Sequence, residues 1–418
     1  METDDLNRLI RSLNAEARPE ASHEERESEG ALELVRSDEP LDPLDPLVPL
    51  DSDIAASSEP VEVGSRLTAL LSETVRRGGT DLLLVPGAPP VIRLHGLLEP
   101  LGAAIEPFSR NEAFELLSPA LSAERRRRYA EAGAADLSLR LEPLGRFRVN
   151  LHRTRLGSAA AFRVLPRRIP ALAELGLPES LYELTKLNRG LVLVTGATGS
   201  GKTTTLAALL DRLNHTERRH IVTIEDPVEY EHAHARSIVE QIEVGVDAPT
   251  FAAALVAALR QDPDVILVGE MRDLETTRTA LTAAETGHLV LATLHTNDVP
   301  QTVNRIIDIF PAEQQGQVRH QLSLALTAIV CQQLMPKKDG TGRVVATELL
   351  IANDSIRAHI RRGSFHQLHS ELTMGRRFGM MTMEDSLAAL VKSGVVSEAE
   401  ARLRASHVDD LESRLRGA

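Results

Sequence analysis

Apolar runs of β-type residues recur four times between residues 191 and 294, each followed by a polar or helix-forming segment. Helical patterns lie between the runs, at 203–213, 251–260 and 275–284. Strands that are buried on both faces of a parallel sheet read as continuous apolar runs, so the pattern predicts an α/β domain over 172–373. The four runs are Leu191–Val194, Ile221–Ile224, Val265–Val268 and Leu289–Leu294.

Shorter predicted elements precede this domain, between residues 61 and 165. Their order predicts a small α+β domain with an antiparallel sheet. The proline-bounded segment 166–171 predicts a linker. Helical patterns dominate after about residue 299, and 374–418 is predicted to be a helical C-terminal region. In the small domain, helices are predicted at 63–77, 110–118 and 123–132, and strands at 81–85, 91–94, 135–141, 146–153 and 159–165.

The first 60 residues carry 17 Asp and Glu against 5 Arg, whereas the rest of the chain is nearly neutral. The proline-rich segment 38–50 disfavours both helix and sheet, so 1–60 is predicted to be a disordered acidic tail. Within it, Leu6, Leu9, Ile10 and Leu13 fall on one face of a helix. Such a helix either docks into a groove of a partner or is transient and has no role.

Composition argues against several classes of function. Aromatic residues make up 3% of the chain, Trp is absent and no basic excess is present, so a nucleic-acid partner is not expected. The single cysteine, Cys331, lies in an apolar run and indicates a buried thiol, not a disulfide or a four-cysteine zinc site. No apolar stretch approaches the roughly 18 residues of a membrane span, so a cytoplasmic protein without direct membrane insertion is expected.

A phosphate-binding pattern, G-x-x-x-x-G-K-[ST], follows the first apolar run and opens a predicted helix. Its glycines let the backbone curl around phosphates, and N–H groups at the helix start point at the anion. The pattern predicts a site for ATP, with Lys202 on the β- and γ-phosphates and the Thr203 hydroxyl on Mg²⁺. The alternative is an ordinary glycine-rich turn. The predicted binding residues are Gly196, Ala197, Thr198, Gly199, Ser200, Gly201, Lys202, Thr203 and Thr204.

Acidic residues follow two other strands of the same predicted sheet. Glu225, Asp226 and Glu229 come after the run at 221–224, and Glu270 follows the run at 265–268. Ligands of open α/β sheets gather at the carboxyl ends of strands. Glu229 and Glu270 are therefore predicted to hold Mg²⁺ through its waters and to orient the attacking water. The structural alternative for each acid is a helix N-cap.

Two histidines bracket the last of the four runs. His295 lies at the carboxyl end of its strand and is predicted to sense the γ-phosphate, whereas His288 lies at the other end. A satisfied structural histidine is the alternative for each residue.

Together these motifs resemble the secretion and pilus ATPases of the type II/type IV system, and among them most closely the type IV pilus retraction motors. The phosphate loop, Ile224–Glu229, Gly269-Glu270 and His288–His295 match that family's Walker A, Asp box, atypical Walker B and His box. The resemblance extends from about residue 63 to 400. It implies a PAS-like N-terminal domain over 61–165, a RecA-like motor domain and a homohexameric ring that hydrolyses ATP.

The resemblance also implies roles for individual residues and partners. Glu229 and Glu270 match the family's catalytic glutamates. Arg148 and Arg163 match segments whose arginines reach the nucleotide when the domains close, and surface arginines in local ion pairs are the alternative. The implied partners are an inner-membrane pilus platform protein and other pilus motor ATPases, which would place the chain at the cytoplasmic face of the inner membrane.

Two departures from the family's patterns bear on the choice of function. Extension and type II secretion motors usually carry a zinc module of four cysteines where this chain has a short polar turn at 335–343, which favours retraction. Arg362 stands where retraction motors carry an acid, which leaves related extension, secretion or accessory retraction motors as alternatives. A nucleotide-binding regulatory or scaffolding module that works through the acidic tail is the alternative from another class.

Overall fold

The structure, a computed structural model, describes residues 63–94, 96–102, 106–178 and 180–416. The predicted acidic tail and its amphipathic helix lie outside the described residues. The chain divides into two compact units. The smaller unit takes its described residues from 63–168 and 229–231, and the larger unit takes them from 169–228 and 232–416.

A six-stranded antiparallel sheet forms the centre of the smaller unit, in the order β3-β2-β1-β6-β5-β4. Alternate residues such as Phe147, Val149 and Leu151 are fully buried, so one face of the sheet carries the core and the other carries polar side chains. The predicted antiparallel α+β fold is confirmed. The strands are β1 (Asp81–Leu84), β2 (Val91–Leu94), β3 (Leu97–Pro100), β4 (Ala134–Leu141), β5 (Gly145–Thr154) and β6 (Gly157–Val164), and the helices are α1 (Ser65–Arg76), α2 (Glu112–Leu117) and α3 (Ala123–Ala132).

A seven-stranded sheet forms the centre of the larger unit, in the order β13-β12-β7-β11-β10-β8-β9. Neighbouring strands are parallel except for the antiparallel pair β12–β13. Every residue of β7, β10 and β11 is buried, as continuous apolar runs require, and the predicted parallel sheet is confirmed. The strands are β7 (Gly190–Thr195), β8 (His220–Glu225), β9 (Ile238–Glu243), β10 (Val265–Val268), β11 (Leu289–Leu294), β12 (Leu326–Pro336) and β13 (Arg343–Ile351).

Side-chain caps fix where two helices of the larger unit begin. The Asp273 carboxylate accepts a hydrogen bond from the Thr276 N–H at 2.8 Å, and the Asp298 carboxylate accepts one from the Gln301 N–H at 2.8 Å. Both caps lie just beyond sheet strands, so they also hold the short loops that leave β10 and β11. The helices are α4 (Ser180–Leu184), α5 (Lys202–Thr216), α6 (Phe251–Ala258), α7 (Leu274–Glu285), α8 (Val299–Asp308), α9 (Gln315–Ala325), α10 (Asp354–Arg362), α11 (Leu368–Met374), α12 (Met383–Lys392), α13 (Glu398–Arg404) and α14 (Val408–Arg416).

The sequence reading of the region after residue 299 is wrong at 326–351, where β12 and β13 form a long hairpin in place of helix. A run that is buried on every side has no periodicity that separates a helix from a strand. Cys331 lies within β12, where it is fully buried and accepts a hydrogen bond from the Thr195 hydroxyl at 3.1 Å, so the predicted buried thiol is confirmed. The edge strands β3 and β9 were also not predicted, because they carry few buried apolar residues.

A buried carboxyl group links β13 to the starts of two helices. Glu348 is 5% exposed, and its Oε1 accepts a hydrogen bond from the Val299 N–H of α8 at 2.9 Å. The Met383 N–H at the start of α12 also donates to this carboxyl group. Burial raises the pKa of Glu348 to about 7; the negative charges of Asp298 and Glu384 add to this rise, and the two N–H groups oppose it.

We expect Glu348 to make the folded protein less stable as the pH rises. In the unfolded chain its carboxyl group ionises near 4.5, whereas the folded state keeps the proton up to about pH 7. The stability that this proton contributes is therefore fully present below pH 4.5 and is lost as the pH passes 7. The loss amounts to about 3 kcal/mol in the free energy of unfolding. Urea unfolding at acidic and alkaline pH measures it.

Glu348→Gln should flatten this pH dependence, because an amide does not titrate in this range. Glu313→Gln, a change at an exposed position of the same unit, serves as the control and should keep the wild-type slope. An unchanged slope in Glu348→Gln would show that another group is responsible.

Candidate functional site

The carboxyl ends of three neighbouring strands bring most of the predicted site residues to one edge of the larger sheet. Parallel pairing aligns Thr195, the last residue of β7, with Leu294, the last residue of β11. β11 lies between β7 and β10. The loop that follows β7, His295 after β11 and Glu270 after β10 therefore meet at the same edge.

The loop after β7 has a backbone that glycine adopts readily and other residues rarely do. Gly196, Gly199 and Gly201 have φ angles of 143°, 80° and 95°. A Cβ atom on Gly196 would also lie 2.4 Å from the carbonyl oxygen of Gln332 and 2.5 Å from Ser200 Oγ. Both conformation and close packing against β12 thus require glycine at 196, and the loop curls tightly into the start of α5.

Lys202 begins α5 and is held against the loop. Its Nζ donates hydrogen bonds to the carbonyl oxygens of Gly196 at 2.8 Å and Ala197 at 3.1 Å. Its side chain lies inside the fold, with the residue 8% exposed. A buried ammonium group at the positive end of a helix creates a local potential that favours an anion.

A buried hydroxyl shows that this loop suits a phosphate. Ser200 Oγ is buried and has no hydrogen-bond partner among the described residues. Leaving such a group unpaired costs about 1–3 kcal/mol, and a phosphate oxygen is an acceptor that would satisfy it. The curled backbone, Lys202 and Ser200 together fit the phosphates of a nucleotide.

The first turn of α5 offers hydroxyl groups to a cation. Thr203 and Thr204 are half-buried there. Within the described ranges, no group of three or more His, Cys, Asp or Glu could hold a metal ion. The threonine hydroxyl groups fit Mg²⁺, because this ion keeps several of its waters and takes few protein ligands when it also binds phosphate.

Glu270 lies just beyond β10 and contacts two basic side chains. Its Oε1 lies 2.6 Å from Arg272 Nε and 3.2 Å from His295 Nε2. The structure therefore brings together Glu270 and His295, which the sequence placed at the ends of different strands. His288, at the opposite end of β11, instead places Nδ1 3.0 Å from the Ala283 carbonyl oxygen.

Opposing effects set the charge of Glu270. Burial alone would raise its pKa, but the hydrogen bond from Arg272 and the charges of His295 and Arg272 outweigh burial, so the pKa lies below its ordinary value. The carboxylate is consequently ionised at neutral pH and can accept hydrogen bonds from water.

Arg272 was missed by sequence reasoning, although it follows Glu270 by two residues. In an extended segment, side chains two positions apart point to the same side, and this spacing is the signal that would have found it.

Gly269 stands where related sites usually carry an acid, and packing explains it. A Cβ atom at this position would lie 3.0 Å from the carbonyl oxygen of Ile224 and 3.3 Å from the Cα of Glu225. The end of β10 thus packs directly against the backbone of β8. A side chain at 269 would be in tight contact with this backbone, and Glu270 is the first acidic residue after β10.

The acidic segment after β8 divides between the two units. Glu225 belongs to the larger unit, where its Oε1 accepts hydrogen bonds from the Thr223 hydroxyl at 2.7 Å and the Gln241 amide at 3.2 Å. Glu229 belongs to the smaller unit, where its backbone carbonyl accepts a hydrogen bond from Arg146 at 2.9 Å. Glu225 therefore has local structural partners, a strand hydroxyl and a side-chain amide, and these contacts are not those of a helix N-cap.

Arg148 and Arg163 face each other on the polar side of the smaller sheet. They are direct cross-strand partners on β5 and β6, and both are exposed. Arg163 Nε lies 3.0 Å from Asp81 Oδ1, whereas Arg148 makes no ion pair with any described residue. The local ion pair considered as an alternative exists at Arg163 only. Adjacent like charges repel, so this surface is suited to an anion.

Comparison with known proteins gives the chain its relatives. Residues 125–416 match the family described as type II/IV secretion system protein. The chain is 43% identical over 339 residues to the type IV pilus retractation ATPase PilT of Pseudomonas aeruginosa, an alignment that covers 81% of this chain and 98% of the relative. It is 44% identical to a twitching motility protein of Neisseria gonorrhoeae, with 77% of this chain and 86% of the relative covered.

A solved structure agrees with these sequence relatives. The crystal structure of the pilus retraction motor PilT with bound ADP superposes with a TM-score of 0.76 at 46% identity, covering 82% of this chain and 98% of the solved chain. The predicted α/β fold with a PAS-like unit and a RecA-like unit is confirmed by this likeness.

Among the described residues, no helix is both long enough and apolar enough to cross a membrane.

We expect Arg272→Ala to alter the pH dependence of ATP hydrolysis. Without the guanidinium group, Glu270 loses the hydrogen bond and the charge of Arg272, which both lower its pKa, so the pKa rises and the acidic limb of the kcat profile moves to higher pH. Initial rates measured across pH 5 to 9 at saturating ATP test this. Arg305→Ala, which removes an exposed arginine of α8, is the control. If the acidic limb of the kcat profile lay at the same pH in Arg272→Ala and Arg305→Ala, Arg272 would have no role in setting the charge of Glu270.

Proposed function

The chain belongs to the type II/IV secretion system protein family, and from that premise we propose that it is a hexameric ATPase motor that drives retraction of type IV pili and twitching motility. The observation that carries the proposal is the shared strand edge, where a phosphate loop with Lys202 meets the contact between Glu270 and His295. The likeness to retraction motors over four-fifths of the chain supports the choice of task.

The phosphate loop supplies the binding step of this proposal. Loop N–H groups and Lys202 neutralise the phosphates, and Ser200 Oγ adds a hydrogen-bond donor. Thr203 and, through water, Glu229 and Glu270 would hold Mg²⁺, which neutralises phosphate charge when it is bound. Thr204 extends the polar rim on the first turn of α5.

The acids and His295 supply the chemical step. Glu270 is ionised, so it can orient the attacking water and accept its proton. The oxygen of that water bonds to the γ-phosphorus while the bond from this phosphorus to the oxygen that bridges to the β-phosphate breaks, so that ADP and inorganic phosphate leave. His295 donates to Glu270 in this structure and has a second ring nitrogen that can report on the γ-phosphate. Glu229 is assigned to the same task on the basis of its match to the family's catalytic glutamates.

The arginines of the smaller unit supply charge neutralisation in the closed state of the motor. A planar guanidinium binds phosphoryl oxygens in a forked geometry, and Arg148 has no competing ion pair among the described residues. Arg163 would have to exchange Asp81 for phosphate. Hydrolysis would thereby couple to movement between the proposed domains 61–165 and 172–373, which the linker 166–171 joins.

The proposed motor works as a homohexamer at the cytoplasmic face of the inner membrane. Its partners in this proposal are a pilus platform protein and other pilus motor ATPases. The acidic segment 1–60 and the C-terminal helical region 374–418 are proposed as parts of the chain outside the catalytic core.

An accessory retraction motor is the second candidate, and one observation favours it. Arg362 is exposed at the end of α10, where retraction motors carry an acid. A reversed charge on the surface changes which partner surface α10 can meet, without a change in the phosphate loop.

We expect Arg148→Gln to lower kcat for ATP hydrolysis by about 10³-fold, because an arginine on the γ-phosphate stabilises transition-state charge. Affinity for ADP should change little, since ADP lacks that phosphate. Steady-state kinetics and ADP titration measure the two quantities. Arg93→Gln, an arginine on the same sheet that already pairs with Asp81, should stay near the wild-type kcat. Equal effects of the two variants would remove Arg148 from the mechanism.

We expect a deletion strain to carry abundant surface pili and to lose twitching movement. Without retraction, assembled pili accumulate, and the cell cannot pull itself forward. Electron microscopy of pili scored together with colony spreading measures both effects. Bare cells would instead indicate an assembly motor, and unchanged cells would indicate the accessory role.

Complementation with Lys202→Ala separates a motor from a scaffold. A motor without its phosphate-loop lysine should fail to restore twitching, because ATP turnover is lost. Restored twitching with this variant would favour a regulatory or scaffolding module over the proposed motor.

A further inference from the structure

A cavity of about 420 Å³ lies in the smaller unit, between α2, α3 and the β5–β6 hairpin. Three arginines line it, one from each side: Arg110 from the loop before α2, Arg126 from α3 and Arg153 from β5. Phe114 forms an apolar part of the wall, with its ring stacked on Tyr129 at 5.3 Å between centroids. None of these groups belongs to the nucleotide chemistry proposed above.

The cavity concentrates positive charge without an acid to balance it. Among the described residues that line it, none is Asp or Glu. None of its three arginines makes an ion pair with a described residue, although several arginines elsewhere in this unit do. Pairs elsewhere in the unit include Arg66 with Glu112 at 2.5 Å and Arg77 with Glu99 at 2.9 Å. Three converging like charges repel, and a bound anion would relieve that repulsion.

Two of the guanidinium groups are already held in position. Arg126 donates to the Ser118 carbonyl oxygen at 2.8 Å, and Arg153 donates to the Ala130 carbonyl oxygen at 3.1 Å. Arg153 also lies over the Tyr129 ring, 5.1 Å from its centroid. A guanidinium group has five N–H donors, so each of these side chains keeps donors for a ligand. Their fixed position lowers the entropy cost of binding.

The inner end of the cavity is rigid. The Tyr129 hydroxyl and Ser158 Oγ are buried and hydrogen-bonded to each other at 2.6 Å. The Ser158 N–H donates to the Arg110 carbonyl oxygen at 2.8 Å. A Cβ atom on Gly157 would lie 2.0 Å from that carbonyl oxygen, so this close approach requires glycine at 157. The backbone that carries Arg110 is therefore anchored to the β5–β6 hairpin.

We propose that this arginine-lined cavity binds a small phosphate ester, a nucleotide or a sugar phosphate, at a site distinct in sequence from the phosphate loop. Arginine forks match the paired oxygens of a phosphate. The volume exceeds that of inorganic phosphate alone, and Phe114 and the polar wall leave space for an organic part with hydroxyl groups.

Isothermal titration calorimetry on the full chain tests the proposal with two probes. If the cavity takes nucleotides, Mg-ADP occupies it in addition to the phosphate loop, and a second class of ADP sites appears. If it takes sugar phosphates, ribose 5-phosphate binds with one site per chain while Mg-ADP is present. Either binding event should weaken as salt concentration rises, because it depends on exposed charges.

Single variants identify the site. Arg110→Gln and Arg126→Gln should each weaken the added binding event by about tenfold, the loss expected for one hydrogen bond to a charged group. Arg127→Gln removes the same charge from α3 at an exposed position that does not line the cavity, and it should bind like the wild type. Arg110 makes no ion pair with a described residue, so its replacement should leave the fold intact, which circular dichroism checks.

Two results would overturn the proposal. One is a single class of ADP sites together with no saturable binding of ribose 5-phosphate. The other is an added binding event that Arg110→Gln and Arg126→Gln leave unchanged, or that Arg127→Gln weakens equally.

Discussion

Parallel pairing of β7, β11 and β10 is the constraint on which the nucleotide site of the larger unit depends. The pairing register aligns the last residue of β7 with the last residue of β11, so the loop after β7 and His295 leave the sheet side by side. Directly after β10, Gly269 packs tightly against the backbone of β8, and Glu270 is the next residue beyond the strand. The caps at Asp273 and Asp298 then start helices that return to the sheet. A slip of one strand would separate these groups.

Two glutamates of the larger unit show how neighbours decide charge. Glu270 is partly buried, yet Arg272 and His295 contact it, and its pKa falls. Glu348 is more deeply buried and accepts hydrogen bonds from two backbone N–H groups, with Asp298 and Glu384 nearby, so its pKa rises. An ionised acid suits water activation, whereas a protonated acid can lie inside the core at low cost. The same residue type is therefore ionised at the proposed catalytic position and protonated where it joins two helix starts.

The sequence predicted the parts of the site that depend on local pattern. The phosphate loop, Glu270 and His295 each follow an apolar run, so strand ends alone place them together. The sequence could not predict contacts between segments that are distant along the chain. The approach of the Gln332 carbonyl oxygen to Gly196 requires β12, and the apolar pattern of this segment fits a helix as well as a strand. The three arginines of the cavity in the smaller unit are likewise 16 to 43 residues apart, and only the fold makes them neighbours.

The departure at Arg362 has a local physical explanation. It is the last residue of α10, directly before Gly363, whose φ of 75° ends the helix. A positive side chain at a helix C-terminus interacts favourably with the helix dipole, and an acid there does not. The substitution is therefore stabilising for α10 itself. The phosphate loop, Glu270 and His295 follow β7, β10 and β11, whereas Arg362 lies at the exposed end of α10. The altered charge therefore changes the exposed surface of the motor and not these site residues. Its functional effect should accordingly lie in the choice of partner, with hydrolysis unchanged.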